Sequence, residues 1–446
     1  MSVYQTAYVP IGVPTFHLDS AQAEFEKSLS LLSALSKSVK APDKMLLTME
    51  DLGNYLDGLD PDLIILQNLT FANSAYTAEV LRRFDCPLLL WTLREPVIDG
   101  GRLRLNSLTG AYSAANTLHA FGREDFLYVF GSPEEAEVAA VLRAAIRAGE
   151  VRRRLKDSKL AAIGHTPAGF GFGRALDSEL TRVFGPVLES LEARELIDRA
   201  RAYTDEECLP YLDEAGRAMT GLKNTPERNL KDFARLCKAY SDYVNENGIN
   251  ALASRCWPDF FTSYGTPVCA VLSMLNDGVV PSACESDVYG ALSMYIGALL
   301  SGRPAFFGDP VSLNETEGTV TFWHCGMAPC SMAREDSGAA VGLHPNRRLG
   351  PVMDFGCAPC EDVTVFRIGR TPGGRFRIFA AEGAALDRPK QFEGTSVVVK
   401  TRSPSGDLVR RSVEDGWEPH FAVVYGAIRT ELEYLGKMLG VEVCVY

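Results

Sequence analysis

Short apolar runs alternate with amphipathic stretches through the first third of the chain. Residues 8–13 are short and apolar, and residues 20–36 repeat Ala, Phe and Leu at helical spacing. Residues 63–66, within Pro-Asp-Leu-Ile-Ile-Leu-Gln-Asn, form an apolar run that ends in polar residues. That is how the C-terminal end of a buried parallel strand reads. Residues 76–84 then predict a helix, 87–91 a strand, 107–121 a helix, 126–130 a strand and 132–146 a helix. Repeated β–α–β units predict a doubly wound parallel sheet, which binds ligands beyond the C-terminal ends of its strands.

A charged helical stretch, 147–159, leads into a fresh strand at 160–164, so a domain boundary is expected near residue 156. The loop that follows carries Gly169, Gly171 and Gly173, but Arg174 occupies the sixth position of a dinucleotide fingerprint and a proline is added. Cofactor binding is not expected there. The α/β texture continues through helical 230–246, the apolar run 268–275, the loop 276–281 and 284–300. From about residue 311 it changes: 319–323, 363–368, 375–380 and 396–400 alternate or run β-branched between Gly- and Pro-rich turns. A helix over 428–439 and a strand over 441–446 close the chain. The expected class is α/β: two N-terminal Rossmann-like parallel-sheet domains, 1–156 and 157–310, then an antiparallel β-barrel-like domain, 311–446.

Composition narrows the function. At 446 residues the chain exceeds one core, and 46% hydrophobic with 23% charged residues is ordinary for a soluble globular protein. A net charge of −12 disfavours nucleic acid and anionic membranes as partners. No signal peptide is read at the N-terminus, and the apolar runs fall short of the roughly 20 residues that span a bilayer. A cytoplasmic location is expected, and the eleven cysteines are expected as reduced thiols.

Candidate chemistry lies in Pro281-Ser-Ala-Cys-Glu285-Ser-Asp287, in Phe306-Phe-Gly-Asp309-Pro310 and in Pro419-His420-Phe421. Taken singly, Glu285 reads as an acid at a helix start, Asp309 as a turn residue after a strand and His420 as a structural histidine. Taken together, two carboxylates and one imidazole would make a facial set suited to Mn²⁺ or Mg²⁺, whereas thiolates would suit zinc. Spacing alone does not connect the three.

A family resemblance does. Ala283-Cys284-Glu285-Ser-Asp287, with its 24-residue step to Asp309, resembles the stretch carrying the two metal-binding acids of L-fucose isomerases. Pro419-His420-Phe-Ala-Val-Val-Tyr425-Gly426 resembles that family's last segment, which carries the metal-binding histidine. Phe322-Trp323-His324-Cys325-Gly326 and Ala380-Ala381-Glu382-Gly383 are similar to further segments. The likeness covers residues 255–446; before residue 150 it is limited to the α/β pattern and Trp91.

The resemblance implies a metal-dependent aldose–ketose isomerase acting through a cis-enediol, with Mn²⁺ (or Mg²⁺ or Co²⁺) on Glu285, Asp309 and His420. The two acids would also move the proton between C1 and C2. His324 falls where arabinose isomerases carry a further metal-binding histidine, so a ligand or substrate contact and a satisfied histidine of the β-domain both stay open. Phe16, His17, Trp91, Arg94, Asn106, Arg255 and Trp257 are the other expected sugar contacts, Trp91 by stacking and Arg94 by hydrogen bonding hydroxyls or an anionic substituent. Phe16 and His17 stand where L-fucose isomerases have arginines. Two substrate classes therefore stay open: a neutral or 6-deoxy aldose, and a C6-sulfonated hexose such as sulfoquinovose. A homo-trimer or homo-hexamer with active sites at subunit interfaces is also implied. The alternative is a non-catalytic sugar-binding or regulatory protein with a structural zinc on Cys325-x4-Cys330 and Cys357-x2-Cys360.

Overall fold

The computed structural model describes residues 4–278 and 280–446. The chain forms two compact units, Met1–Arg154 with Glu433–Gly440, and Leu155–Leu432 with Val441–Tyr446.

The first unit is built on five parallel strands: β1 (Thr6–Ile11), β2 (Val39–Lys40), β3 (Leu63–Asn68), β4 (Leu88–Thr92) and β5 (Leu127–Phe130). Their order is β2-β1-β3-β4-β5. β1, β3 and β4 are buried along their whole length, which is why they read as continuous apolar runs and not as alternation. Val9, Ile11, Ile64 and Leu66 meet Leu52, Leu56, Val80 and Leu118 from the covering helices in one core. The helical stretches read at 132–146 and 147–159 are a single helix, Ala136–Lys156.

Trp91 corrects an expectation. It is fully buried in β4, and its indole N–H donates to the Gly131 carbonyl at 2.9 Å. Fully buried and with its one donor used, the ring has no surface to offer a sugar.

The second unit holds two main sheets and a two-stranded ribbon. Four short parallel strands come first: β6 (Lys159–Ile163), β7 (Val187–Leu191), β8 (Ala251–Ser254) and β9 (Ser282–Ala283), in the order β7-β6-β8-β9. Helix Val288–Ser301 follows, apolar all round and buried on nearly every side, as such a helix must be. It packs on β8 and β9 and also on the second sheet.

That sheet comprises β10 (Ala305–Asn314), β11 (Thr319–His324), β14 (Cys360–Arg370), β15 (Phe376–Ala385), β16 (Thr395–Thr401) and β17 (Phe421–Tyr425). A two-stranded ribbon, β12 (Val341–Gly342) with β13 (Val352–Met353), lies between β11 and β14 in sequence. The six long strands are antiparallel neighbours in the order β14-β17-β10-β11-β16-β15, and β14 also pairs with β15, so the sheet closes into a barrel. Closure removes the exposed edges of these strands. A last strand, β18 (Glu442–Val445), adds to β15 in parallel. β10 starts before residue 310 and continues past it through a register shift between Pro310 and Ser312, so Asp309 sits on a barrel strand. Among the described residues no helix is long and apolar enough to cross a membrane.

Trp91→Ala should destabilise the first unit by about 3–5 kcal/mol, as loss of a buried aromatic does. The check is a urea titration followed by circular dichroism; an unchanged midpoint with lost activity would restore the sugar-contact role.

Candidate active site

Strand register brings the barrel's share of the site together. Gly308 in β10 lies opposite Phe421 in β17, which sets Asp309 beside His420, the residue just before that strand. On the other side Asp309 pairs with Trp323 in β11, so His324 is the next residue along. The parallel sheet supplies the remainder. Glu285 lies just after β9, in the turn between its C-terminal end and helix Val288–Ser301. The side chains converge: Glu285 Oε2 is 3.4 Å from His324 Nε2 and 3.9 Å from His420 Nε2, and Asp309 Oδ1 is 3.4 Å from His420 Nε2.

The turn that carries Glu285 is strained. Glu285 and Ser286 have φ of 51° and 55°, the left-handed region that side chains with a Cβ avoid. Each costs of order 1–3 kcal/mol and persists only where its surroundings over-determine it. Here Ser286 Oγ donates to the Gly164 carbonyl at 2.9 Å, and Asp287 N donates to the Cys284 carbonyl at 3.0 Å. Glu285 is therefore not the cap of the following helix, as its place in the sequence suggested. Asp287 is, accepting from Gly290 N at 2.9 Å.

Asp287 is also the anchor of the site. It is 1% exposed and receives both Arg367 terminal nitrogens, at 2.5 and 3.0 Å; Arg367, on β14, is itself fully buried. Burial pushes the Asp287 carboxyl up, and the Arg367 charge and the His420 hydrogen bond beside it more than reverse that, holding it well below the usual carboxylate range. An ionised carboxylate only accepts, so the 2.9 Å contact with His420 Nδ1 is a donation from the ring. In the neutral imidazole this leaves Nε2 as a lone pair aimed at the acids. Phe307 and Phe172 pack on the ring at centroid distances of 4.9 and 5.3 Å. Gly173 belongs to this clamp: a Cβ there would stand 2.9 Å from Asp287 Cα. Of the loop's three glycines only Gly173 is closely packed; a Cβ at Gly169 or Gly171 would meet nothing within 4 Å.

Glu285 Oε2 is buried and has no hydrogen-bond partner, although two imidazole nitrogens face it. An orphaned carboxylate oxygen is costly unless something else satisfies it. Ligand atoms held about 2.1 Å from one ion lie roughly 3–4 Å from each other, and the separations above have that spacing. Glu285, His324 and His420 form one potential ligand group, and Asp309 adjoins it through His420. The donor set thus fits a divalent cation of the oxygen- and imidazole-loving kind. Burial raises the Asp309 carboxyl, whereas the neighbouring histidines outweigh burial at Glu285 and lower it. Burial also pushes the His324 imidazole down, and Cys325 and Glu285 beside it more than reverse this.

Glu285, Asp309 and His324 open onto a cavity of about 200 Å³, which Trp257, Trp323, Asn346 and Arg347 also line. The other sequence-derived contacts have local partners. Arg255 pairs with Asp259 at 2.7 Å. In the first unit, Arg94 pairs with Glu135 at 2.7 and 2.9 Å, and His17 caps helix Leu18–Leu35 through Ser20 N. Asn106 Oδ1 accepts from Thr109 Oγ1, and Phe16 packs edge-on against Phe71. The four cysteines of the expected zinc ribbon form no ligand group among the described residues: Cys330 Sγ lies against Ser273 Oγ, while Cys325 groups with Cys269 and His344.

Sequence reasoning missed Asp287, Arg367, Trp323 and Arg347. Asp287 had a signal, an N-cap residue directly ahead of an apolar helix. So had Arg367, a lone charge in a run of strand formers. Arg347 had none, because its role depends on which loop faces the cavity.

Fold and centre together define a class, an α/β protein in which two carboxylates and two imidazoles converge at a cavity. No protein-family model matches the chain. It is 63% identical over 446 residues, the whole of both chains, to the sulfoquinovose isomerase of Clostridium sp. (strain MSTE9). It is 36% identical over 443 residues to that of Priestia aryabhattai and 36% over 439 to that of Alkalicoccus urumqiensis, with 98% of each chain covered. The chain belongs to the sulfoquinovose isomerase family.

Arg367→Met should cost about 3–5 kcal/mol in chemical denaturation, because it leaves the Asp287 carboxylate buried without its counter-charge. Adding Asp287→Asn should recover part of that loss; strictly additive effects would show that the pair is not coupled.

Proposed function

We propose that the chain isomerises sulfoquinovose, a glucose carrying a sulfonate at C6, to the corresponding 2-ketose in the manner of L-fucose isomerases. The observation that carries the chemistry is the convergence of Glu285 Oε2 with the Nε2 atoms of His324 and His420, beside Asp309. Its relatives along their full lengths supply the substrate.

The reaction breaks the C2–H bond, forms a C1–H bond and shifts the carbonyl from C1 to C2. In the open-chain sugar the C2 proton passes to a carboxylate as the C1 carbonyl oxygen takes up the electron pair and then a proton, giving a cis-enediol; the O2 hydroxyl replaces that proton when it loses its own. Return of a proton to C1, with loss of the O2 proton, completes the ketose. Glu285 and Asp309 are the proton carriers, since both carboxylates line the cavity. Glu285, Asp309 and His420, with His324 beside them, would hold Mn²⁺ or a similar divalent ion, which when bound supplies Lewis acidity at the carbonyl and compensates charge on the enediolate. Asp287 keeps the His420 ring oriented, and Phe172 and Phe307 keep water from it.

Further readings complete the proposal. The strand order β2-β1-β3-β4-β5 supports a doubly wound domain, with the flavodoxin-like and not the classic Rossmann sequence of strands. A homo-trimer or homo-hexamer is supported by apolar side chains left exposed in the first unit, with Ile98 94% and Tyr112 75% accessible. All eleven cysteines are free, which suits a reducing cytoplasm.

The test is turnover by metal-stripped protein of L-fucose, D-arabinose, L-arabinose, glucose and sulfoquinovose, with and without added Mn²⁺. Ketose should form from sulfoquinovose on Mn²⁺ addition. Absence of ketose from the reconstituted protein would remove the proposal. Glu285→Gln and Asp309→Asn should each lower kcat about 1,000-fold with unchanged melting, as loss of a proton carrier does; retained turnover in either would remove that residue from the role.

A further inference from the structure

Arg347 is a cation that no acid neutralises among the described residues. The arginines nearest to it in this part of the structure are neutralised, Arg255 by Asp259 at 2.7 Å and Arg348 by Glu393 at 2.7 Å. Among the described residues no carboxylate pairs with Arg347, although it is half-buried and lines the cavity with Glu285, Asp309 and His324. Its guanidinium carbon lies 5.0 Å from the Trp257 ring centroid and 4.9 Å from that of Phe261. Rings over the faces of a guanidinium lower its exposure to water and leave the in-plane N–H donors free.

The loop that presents it is held in place. His344 is buried and packs edge-on against Phe261 at 4.9 Å. Its carbonyl accepts from Arg347 N at 3.3 Å and Arg348 N at 2.8 Å, its Nδ1 accepts from Asn346 N at 3.2 Å, and its own N donates to the Leu349 carbonyl at 2.7 Å. An exposed loop bonded back onto one buried side chain fixes its tip before any ligand arrives, which lowers the ordering cost of binding.

The charges say what that tip is for. The cavity holds two carboxylates, and the whole chain carries −12. A neutral sugar would need no cation here. An anionic one gains from a positive group in the same cavity that no carboxylate has already taken.

Resting on the sulfoquinovose reading above, we propose that Arg347, stacked between Trp257 and Phe261, is the sulfonate-binding residue that selects a C6-sulfonated hexose over an uncharged one. Guanidinium and sulfonate match as planar donor fork and oxygen acceptors, and the partial burial strengthens the pair. Trp257 lines the cavity and is a stacking partner of the arginine. Arg94 and Arg255, the cations suggested by sequence, are already spent on Glu135 and Asp259.

The experiment compares wild type, Arg347→Gln and Arg347→Lys, all Mn²⁺-loaded, on sulfoquinovose and on glucose. It adds calorimetric binding of the non-reacting alditol made by reducing sulfoquinovose. Arg347→Gln should lower the kcat/KM preference for sulfoquinovose over glucose about 100-fold, mainly through KM, and weaken the alditol by a similar factor. Arg347→Lys should keep part of both, because it restores charge without the fork. Equal losses on both sugars, or alditol binding unchanged in Arg347→Gln, would overturn the proposal. A wild type silent on sulfoquinovose would instead sink the isomerase reading, and the alditol titration would still decide whether Arg347 binds the sulfonate.

Discussion

A carboxylate that hardly touches solvent, Asp287, fixes the geometry on which the rest of the centre depends. It receives the Gly290 amide of one helix, the Arg367 guanidinium of a barrel strand and the His420 imidazole. A charge so deeply buried costs several kcal/mol unless each of its lone pairs is used. Using them ties the parallel sheet, the central helix and the barrel to a single point. Move Asp287 and the His420 ring loses its orientation, the Glu285 turn loses its end-stop and Arg367 becomes an unpaired buried cation.

Two kinds of rigidity meet at that point. The barrel supplies Asp309, His324 and His420 by register alone, since adjacent strands cannot slip without turning every side chain to the other face. The parallel sheet supplies Glu285 through a strained turn, a conformation its sequence disfavours and its hydrogen bonds enforce. Groups placed on regular elements hold position better than groups on free loops. Arg347 is the exception, and there a buried histidine does for the loop what strand pairing does for the acids.

Much of the fold was legible because its elements announce themselves locally. Buried parallel strands read as apolar runs, and β10 to β17 alternate or run β-branched between turns. The site was legible only in part. Glu285, Asp309 and His420 came from resemblance, since convergence across 135 residues leaves no trace in spacing. Trp91 was misread because a strand-end aromatic looks the same in a core as in a pocket. Arg367 and Asp287 were overlooked because a buried ion pair across 80 residues is visible only once both partners are folded. Arg94 and Arg255 were read as sugar contacts because the acids that hold them, Glu135 far off in sequence and Asp259 four residues on, are brought beside them only by the folded chain.

The account stands most directly on proton transfer between carbons by the two acids. Its measurement is isomerisation of sulfoquinovose deuterated at C2, in ordinary water, with the ketose examined by NMR for label at C1. Proton carriage by Glu285 or Asp309 predicts loss of deuterium to solvent during turnover, with hydrogen from water appearing at C1. Quantitative delivery of the C2 deuterium to C1 would mean a direct hydride shift, and would contradict the roles given to both carboxylates.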